Sequence, residues 1–282
     1  MSFNKSIMVT ILISICSIML IFGCKTAVKY NDKGYSYYSV QQYDKAIEYY
    51  DMAIAKNPNL AEAYNNRGLA CYDKGKYKKA LSDFRRAIEK KPVFPEAYNN
   101  RGLTHQALCE VNTAITDYNI AITMDPGLSE AYNNRANAFF LKKNYDEAIK
   151  DYDRAIEFKP RDALRYKNRG VAYFSKGDYE KAKTDFNKAL DLDSELEEIY
   201  FYRGVANYKL EMYDDAINDL DSLLKVETDH ANAYYYVGLI CEKENMIYQA
   251  IEAYKKFLKY ANPSNKKNIY DAKKRINDLE NL

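Results

Sequence analysis

Residues 61–94 read AEAYNNRGLACYDKGKYKKALSDFRRAIEKKPVF, and the organisation of the whole chain follows from this stretch. Tyr64, Gly68, Cys71 and Tyr72 recur at helical spacing, and Lys74-Gly75-Lys76 then marks a turn. Tyr77, Ala80, Leu81, Phe84, Ala87 and Ile88 form the apolar stripe of a second helix, and Pro92 follows its end. Gly68 and Ala80 are small enough to let two backbones come close. Neither helix can bury its stripe alone, so such a pair gains stability only by stacking on a neighbour.

The neighbours are copies. Tyr recurs at Tyr30, Tyr64, Tyr98, Tyr132, Tyr166, Tyr200 and Tyr234, an unbroken period of 34 residues. Ala46, Ala80, Ala114, Ala148, Ala182, Ala216 and Ala250 keep the same register. The units therefore run 27–60, 61–94, 95–128, 129–162, 163–196, 197–230 and 231–264. The third copy has Leu108-Cys109-Glu110-Val111 where others carry a Gly- or Asn-type turn followed by Tyr, which predicts an irregular inner turn. In the last two copies Leu223 and Phe257 replace a small Ala, and in the fifth and sixth Ser194 and Thr228 replace the Pro. Residues 265–282 place Ile269, Ala272, Ile276 and Leu279 on one face, the pattern of a helix capping the last exposed stripe.

Five copies carry an Arg in the first helix and an Asp sixteen residues later: Arg67 with Asp83, Arg101 with Asp117, Arg135 with Asp151, Arg169 with Asp185, and Arg203 with Asp219. Where Arg is missing, Asp is missing too, since Lys33 stands with Tyr49 and Val237 with Ala253. Presence and absence track together, which predicts an ion pair across each hairpin, with the Arg fork holding the carboxylate. The matched Asp makes an internal clip the expected role, rather than a row of sites for acidic ligands.

The fourth copy places Tyr132, Ala136, Phe139, Ala148, Tyr152, Ala155 and Pro160 in the order aromatic, small, aromatic, Ala, aromatic, Ala, Pro, and so resembles the tetratricopeptide repeat. The resemblance covers residues 27–264 without a gap. It implies an all-α, right-handed superhelical solenoid of seven helix-turn-helix repeats plus the C-terminal capping helix. It also implies a concave groove lined by the first helices. Carried over place by place, the peptide-binding groove comprises Asn65, Leu69, Tyr72, Asn99, Leu103, Gln106, Asn133, Asn137, Phe140, Lys167, Val171, Phe174, Phe201 and Tyr208. Asn and Gln amides can pair with a peptide backbone through donors and acceptors alike. The Asn row at 65, 99 and 133 is equally explained by duplication of a residue that suits a helix surface. Glu62, Glu96, Glu130 and Glu198 stand near helix starts, where a carboxylate favours the dipole. The family's carboxylate clamp of Lys, Asn and Arg is not matched, because Lys167 is the lone basic residue at the relevant place.

Ahead of the repeats, Lys5 precedes the uncharged run Ser6–Gly23 and then Cys24, the layout of a secretory signal. Leu20-Ile21-Phe22-Gly23-Cys24 resembles a bacterial lipobox, with Phe22 departing from its usual small residue. That resemblance implies lipidation at Cys24, removal of residues 1–23, a tether of residues 24–26 and an exported, membrane-anchored protein of the cell envelope. An uncleaved signal anchor is the alternative. Lys25, Lys29 and Lys33 would then stand near anionic headgroups.

The remaining chemistry is sparse. Lys and Arg (42) balance Asp and Glu (40), so nothing supplies the basic excess of a nucleic-acid binder. His105 falls at a packing position and His230 at a repeat junction, with no Cys or His at metal spacing. Cys71 and Cys241 hold the same packing place five copies apart, so no disulfide joins them. No phosphate loop, nucleophile elbow or cofactor motif is present in the sequence. The expected function is a non-enzymatic scaffold that holds a protein or peptide partner, possible roles being envelope or secretion-complex assembly. A self-associating structural module is the alternative.

Overall fold

The computed structural model describes residues 25–281. Residues 1–23 and Cys24, with the signal and lipidation expectations that fall on them, lie outside the described residues. Every element is helical: α1 (25–38), α2 (Tyr43–Lys56), α3 (Ala61–Asp73), α4 (Tyr77–Lys90), α5 (Pro95–Ala107), α6 (Val111–Met124), α7 (Ser129–Leu141) and α8 (Tyr145–Phe158). There follow α9 (Ala163–Lys176), α10 (Tyr179–Leu192), α11 (Glu198–Lys209), α12 (Tyr213–Val226), α13 (Ala231–Lys243), α14 (Ile247–Tyr260) and α15 (Lys266–Glu280). Lys25 and Thr26, read above as tether, are helical. None of the described helices is long and apolar enough to cross a membrane. The chain divides between Ala138 and Phe139 into two compact units.

Each unit is made of the same helix hairpin. The place at its turn is left-handed in all seven copies: Gln41, Gly75, Cys109, Lys143, Gly177, Glu211 and Asn245 have φ between 57° and 93°. The next residue donates its N–H back to the carbonyl five positions earlier, as Lys76 does to Cys71 at 2.8 Å and Glu110 to His105 at 2.9 Å. This is the bond pattern of a left-handed helix C-terminus, which satisfies an otherwise orphaned carbonyl. The third copy, expected to be irregular, has the same turn. Its backbone bonds prescribe the shape, and Cys109 accepts φ 63° without a glycine.

Packing inside the hairpin rests on the glycine of the first helix. A Cβ on Gly68 would lie 2.7 Å from a ring carbon of Phe84, and one on Gly238 would lie 2.5 Å from Tyr254. The ring of the second helix therefore sits on bare backbone. Ala80, Ala182 and Ala250 are wholly buried opposite it. Between copies, the tyrosine of the 34-residue period closes the loop behind it. The hydroxyls of Tyr64, Tyr166 and Tyr234 donate to the carbonyls of Pro58, Pro160 and Thr228, six residues back, at 3.0–3.3 Å. Because the acceptor is backbone, Thr228 serves as well as Pro. Asp162 caps α9 from its side chain, and His230 Nδ1 accepts the Ala233 N–H at 3.1 Å to cap α13.

At the end of the second unit, α15 lays Ala272 and Leu279 into one cluster with Tyr254 and Phe257, and Ile269 and Ile276 pack against it. Tyr235 donates to Asp271 Oδ2 at 2.7 Å, and Arg275 bridges Asp271 at 2.6 Å and Glu242 at 2.8 Å.

Candidate protein-binding face

In the first unit, Arg67 donates to both oxygens of Asp83, from Nε at 2.9 Å and Nη2 at 2.6 Å. Arg101 does the same to Asp117 at 2.9 and 2.6 Å. In the second unit Arg169 holds Asp185 at 2.8 and 2.7 Å, and Arg203 holds Asp219 at 3.0 and 2.5 Å. Arg135 belongs to the first unit and Asp151, 5% exposed, to the second. Each of these Arg side chains also lies over the tyrosine three residues before it, at 5.1–5.7 Å from the ring centre. In repeat one, where both members are absent, Tyr37 stacks on Tyr49 at 5.2 Å and Lys33 stands over Tyr37.

The sequence reading missed the third hydrogen bond of these forks. Arg67 Nη1 reaches back to Asp51 of the preceding copy at 2.5 Å, and Arg169 Nη1 to Asp153 at 2.7 Å. Arg135 and Arg203 reach Asn119 and Asn187 in the same way, at 2.6 and 2.7 Å. Arg67, Arg169 and Arg203 thus tie their own hairpin to the one before. The signal was present as an Asp or Asn sixteen residues ahead of four of the five arginines. Arg101 finds Arg85 at that place and has no such bond.

The amide row has its own hydrogen-bond pattern. Asn134 donates to Asn99, Asn100 to Asn65, and Asn66 to Asn31, each at 3.0 Å. Within a helix, Asn99 donates to Asn100 at 3.4 Å and Asn65 to Asn66 at 3.3 Å. Five bonds therefore run head to tail through six amides. Asn65 and Asn99 are buried, whereas Asn66, Asn100, Asn133 and Asn134 are half-buried. The neighbouring amide, overlooked as a site residue, is the more accessible member of the pairs Asn65–Asn66 and Asn99–Asn100.

Beside this row, Leu69, Tyr72, Leu103 and Gln106 of α3 and α5 are half-buried, as is Asn137 of α7. Gln106 accepts the buried Tyr118 hydroxyl at 3.2 Å. In the second unit the corresponding face turns aromatic. Phe140 meets Tyr145 at 5.5 Å, Phe174 meets Tyr202 at 5.5 Å, and Tyr236 meets Phe201 at 6.0 Å and Tyr208 at 5.6 Å. Val171 is half-buried here, and burial raises the Tyr208 phenol. Lys167 is held by Glu198 at 2.6 Å. The two faces offer apolar area with polar edges.

His105, buried on α5, bonds Glu110 through Nδ1 at 2.6 Å and stands 4.0 Å from Asp117. Burial raises the thiols of Cys71 and Cys241, while Cys109 is exposed. Among the described residues no group of three or more His, Cys, Asp or Glu could hold a metal ion.

Family models described as tetratricopeptide or TPR repeats match residues 31–95 and 208–266, 129–162, and 170–211. No curated protein matches the chain by sequence. Among solved structures, PilF of Pseudomonas aeruginosa superposes with a TM-score of 0.66 at 20% identity, over 76% of this chain and 97% of its own. The C-terminal part of a TPR repeat-containing protein of Cytophaga hutchinsonii gives 0.65 at 23%, over 86% and 98%. A tetratricopeptide repeat protein of Parabacteroides merdae gives 0.58 at 20%, over 91% and 99%.

Proposed function

The chain belongs to the tetratricopeptide repeat family, and from that premise we propose that it is a membrane-held scaffold whose first helices grip an extended segment of a protein partner. The fold itself is one of protein–protein interaction. One observation carries the finer reading: the first helices keep apolar and aromatic side chains half open while the polar groups beside them are already engaged. Leu69, Tyr72 and Leu103 in one unit and Val171, Phe174 and Tyr208 in the other are such side chains. A partner would gain apolar contact there, and the half-buried Asn66, Asn100 and Asn134, whose Nδ2 groups each spend one hydrogen on the amide row, would donate the second to it. Lys167 is engaged by Glu198, so acidic C-termini are not the favoured partner chemistry.

The membrane part of the proposal rests on the lipobox-like residues before Cys24 and on α1. Lys25, Lys29 and Lys33 are exposed at four-residue spacing on one face of that helix. Cys24 would carry acyl chains and hold α1 at the surface, where basic side chains meet anionic headgroups.

Photo-cross-linking in native membranes tests the binding face. A benzoylphenylalanine at Leu103 or Tyr208 is expected to capture one partner that the same group at Thr116 or Lys188, on second helices, does not. Capture from the second helices alone refutes the face. Labelling with a fatty-acid analogue, lost in Cys24→Ser, tests the anchor.

A further inference from the structure

Counting Ala61 as the first place of its copy, the eighteenth and nineteenth places of the second helix are exposed in the second, fourth and sixth copies, and the twenty-fifth is exposed in the second and sixth and half-buried in the fourth. In the second copy these are Lys78, Lys79 and Arg85; in the fourth, Asp146, Glu147 and Asp153; in the sixth, Asp214, Asp215 and Asp221. Three like charges at equal places make three similar surfaces, but their engagement differs. The fourth-copy triad is used within its unit: Asp146 pairs with Lys176 at 2.5 Å, Glu147 with Lys150 at 2.7 Å and Asp153 with Arg169 at 2.7 Å. The basic triad of α4 and the acidic triad of α12 form no ion pair with any described residue.

The twenty-fifth place sharpens the contrast. In four other copies it accepts the third hydrogen bond of the next copy's Arg, as Asp51, Asn119, Asp153 and Asn187 do. Arg85 cannot accept one and leaves Arg101 with Asp117 alone. Asp221 has no Arg to receive, because the next copy carries Val237 there. Both residues have been released from the internal clip, with opposite charge.

Their surroundings agree. Around the basic triad, the exposed Lys76 and Lys90 add positive charge, and the one exposed carboxylate of α4, Glu89, is paired with Arg86 at 2.9 Å. The acidic triad is preceded by the exposed Asp191, Asp193 and Glu195.

We propose that the α4 surface binds the α12 surface of a second copy of this chain, Lys78, Lys79 and Arg85 meeting Asp214, Asp215 and Asp221. Such a contact joins two different patches, so it closes into a ring or continues as a chain. It uses second helices and does not depend on the binding face described for the first helices. Because the charges are exposed, added salt weakens it.

The test mixes unlabelled and ¹⁵N-labelled full-length protein in detergent micelles and joins contacting amines and carboxylates with a zero-length carbodiimide. The expected product is a heavy–light peptide pair linking Lys78 or Lys79 to Asp214 or Asp215. Reversal of either triad, Lys78→Glu/Lys79→Glu/Arg85→Glu or Asp214→Lys/Asp215→Lys/Asp221→Lys, lowers the mixed yield about tenfold or more. Mixing the two reversed variants restores it between unlike copies. These are exposed positions, and an unchanged melting curve separates lost contact from lost fold. Links confined to single copies, or no rescue in the mixture, overturn the proposal. So does a monomeric chain whose basic triad instead binds anionic vesicles or an acidic polypeptide.

Discussion

Arg169→Leu isolates the value of the hairpin clip. Asp185 is 4% exposed, and burial raises its carboxyl despite the opposing bonds and charge of Arg169. Removing Arg169 leaves that carboxylate buried without its partner and breaks the bond to Asp153 as well. Loss of one member of a buried pair costs about 3–5 kcal/mol, and the lower end applies because the Arg side chain is 20% exposed. Removing both members, in Arg169→Leu/Asp185→Leu, avoids the stranded charge and is expected to be close to neutral. The sign with pH follows from the raised carboxyl. A group whose folded pKa exceeds its unfolded one contributes stability that is present at low pH and lost as pH rises through the folded value. Without Arg169 that rise is larger, so the deficit of the single variant is greatest at neutral pH and shrinks toward about pH 4. Urea unfolding followed by circular dichroism measures it, with hydrogen exchange in α9 and α10 to catch local opening of a repeat array. A double variant no more stable than the single one, with equal deficits at both pH values, would refute the reasoning.

Two further predictions concern the turns and the cap. Cys109→Gly and Lys143→Gly relieve left-handed backbone at φ 63° and 61°, and each is expected to add about 0.5–1 kcal/mol, read as a higher melting temperature. Burial pushes the Asp271 carboxyl up, but the Tyr235 hydroxyl and Arg275 outweigh it and leave it below the ordinary value. A depressed acid contributes stability that is lost as pH falls through its folded pKa, so exchange protection of α15 should drop below about pH 4. The drop should be smaller in Arg275→Gln, and an identical profile would remove Asp271 from the cap.

The fold was legible because its information is repeated. One period of 34 residues carries the glycine under the ring, the buried alanine and the tyrosine that closes the loop. A misreading in one copy is corrected by six others. The irregular turn expected of the third copy shows where composition misleads: Leu108-Cys109-Glu110 lacks a turn residue, yet backbone bonds impose the same left-handed geometry. The candidate face was less legible. Helical periodicity says which side of α3 carries Asn65, but not that Asn100 of the next copy has taken its carbonyl. That bond depends on the stacking distance between copies, which no single helix encodes.

The same limit explains why the role of the twenty-fifth place went unnoticed. Its partner lies sixteen residues ahead, in the following copy, so a search within the hairpin returns Asp83 for Arg67 and stops short of Asp51. Once that second bond is known, the departures become informative. A place that ties copies together in four instances holds Arg85 in one, which gives up a bond to Arg101. A random loss would leave any polar residue there; an Arg beside Lys78 and Lys79 adds charge of the same sign instead. The acidic triad at the same places of α12 is the complement, and it too has no use inside its own unit. Repetition sets what each place does by default, and partner contacts are written in the copies that depart from it.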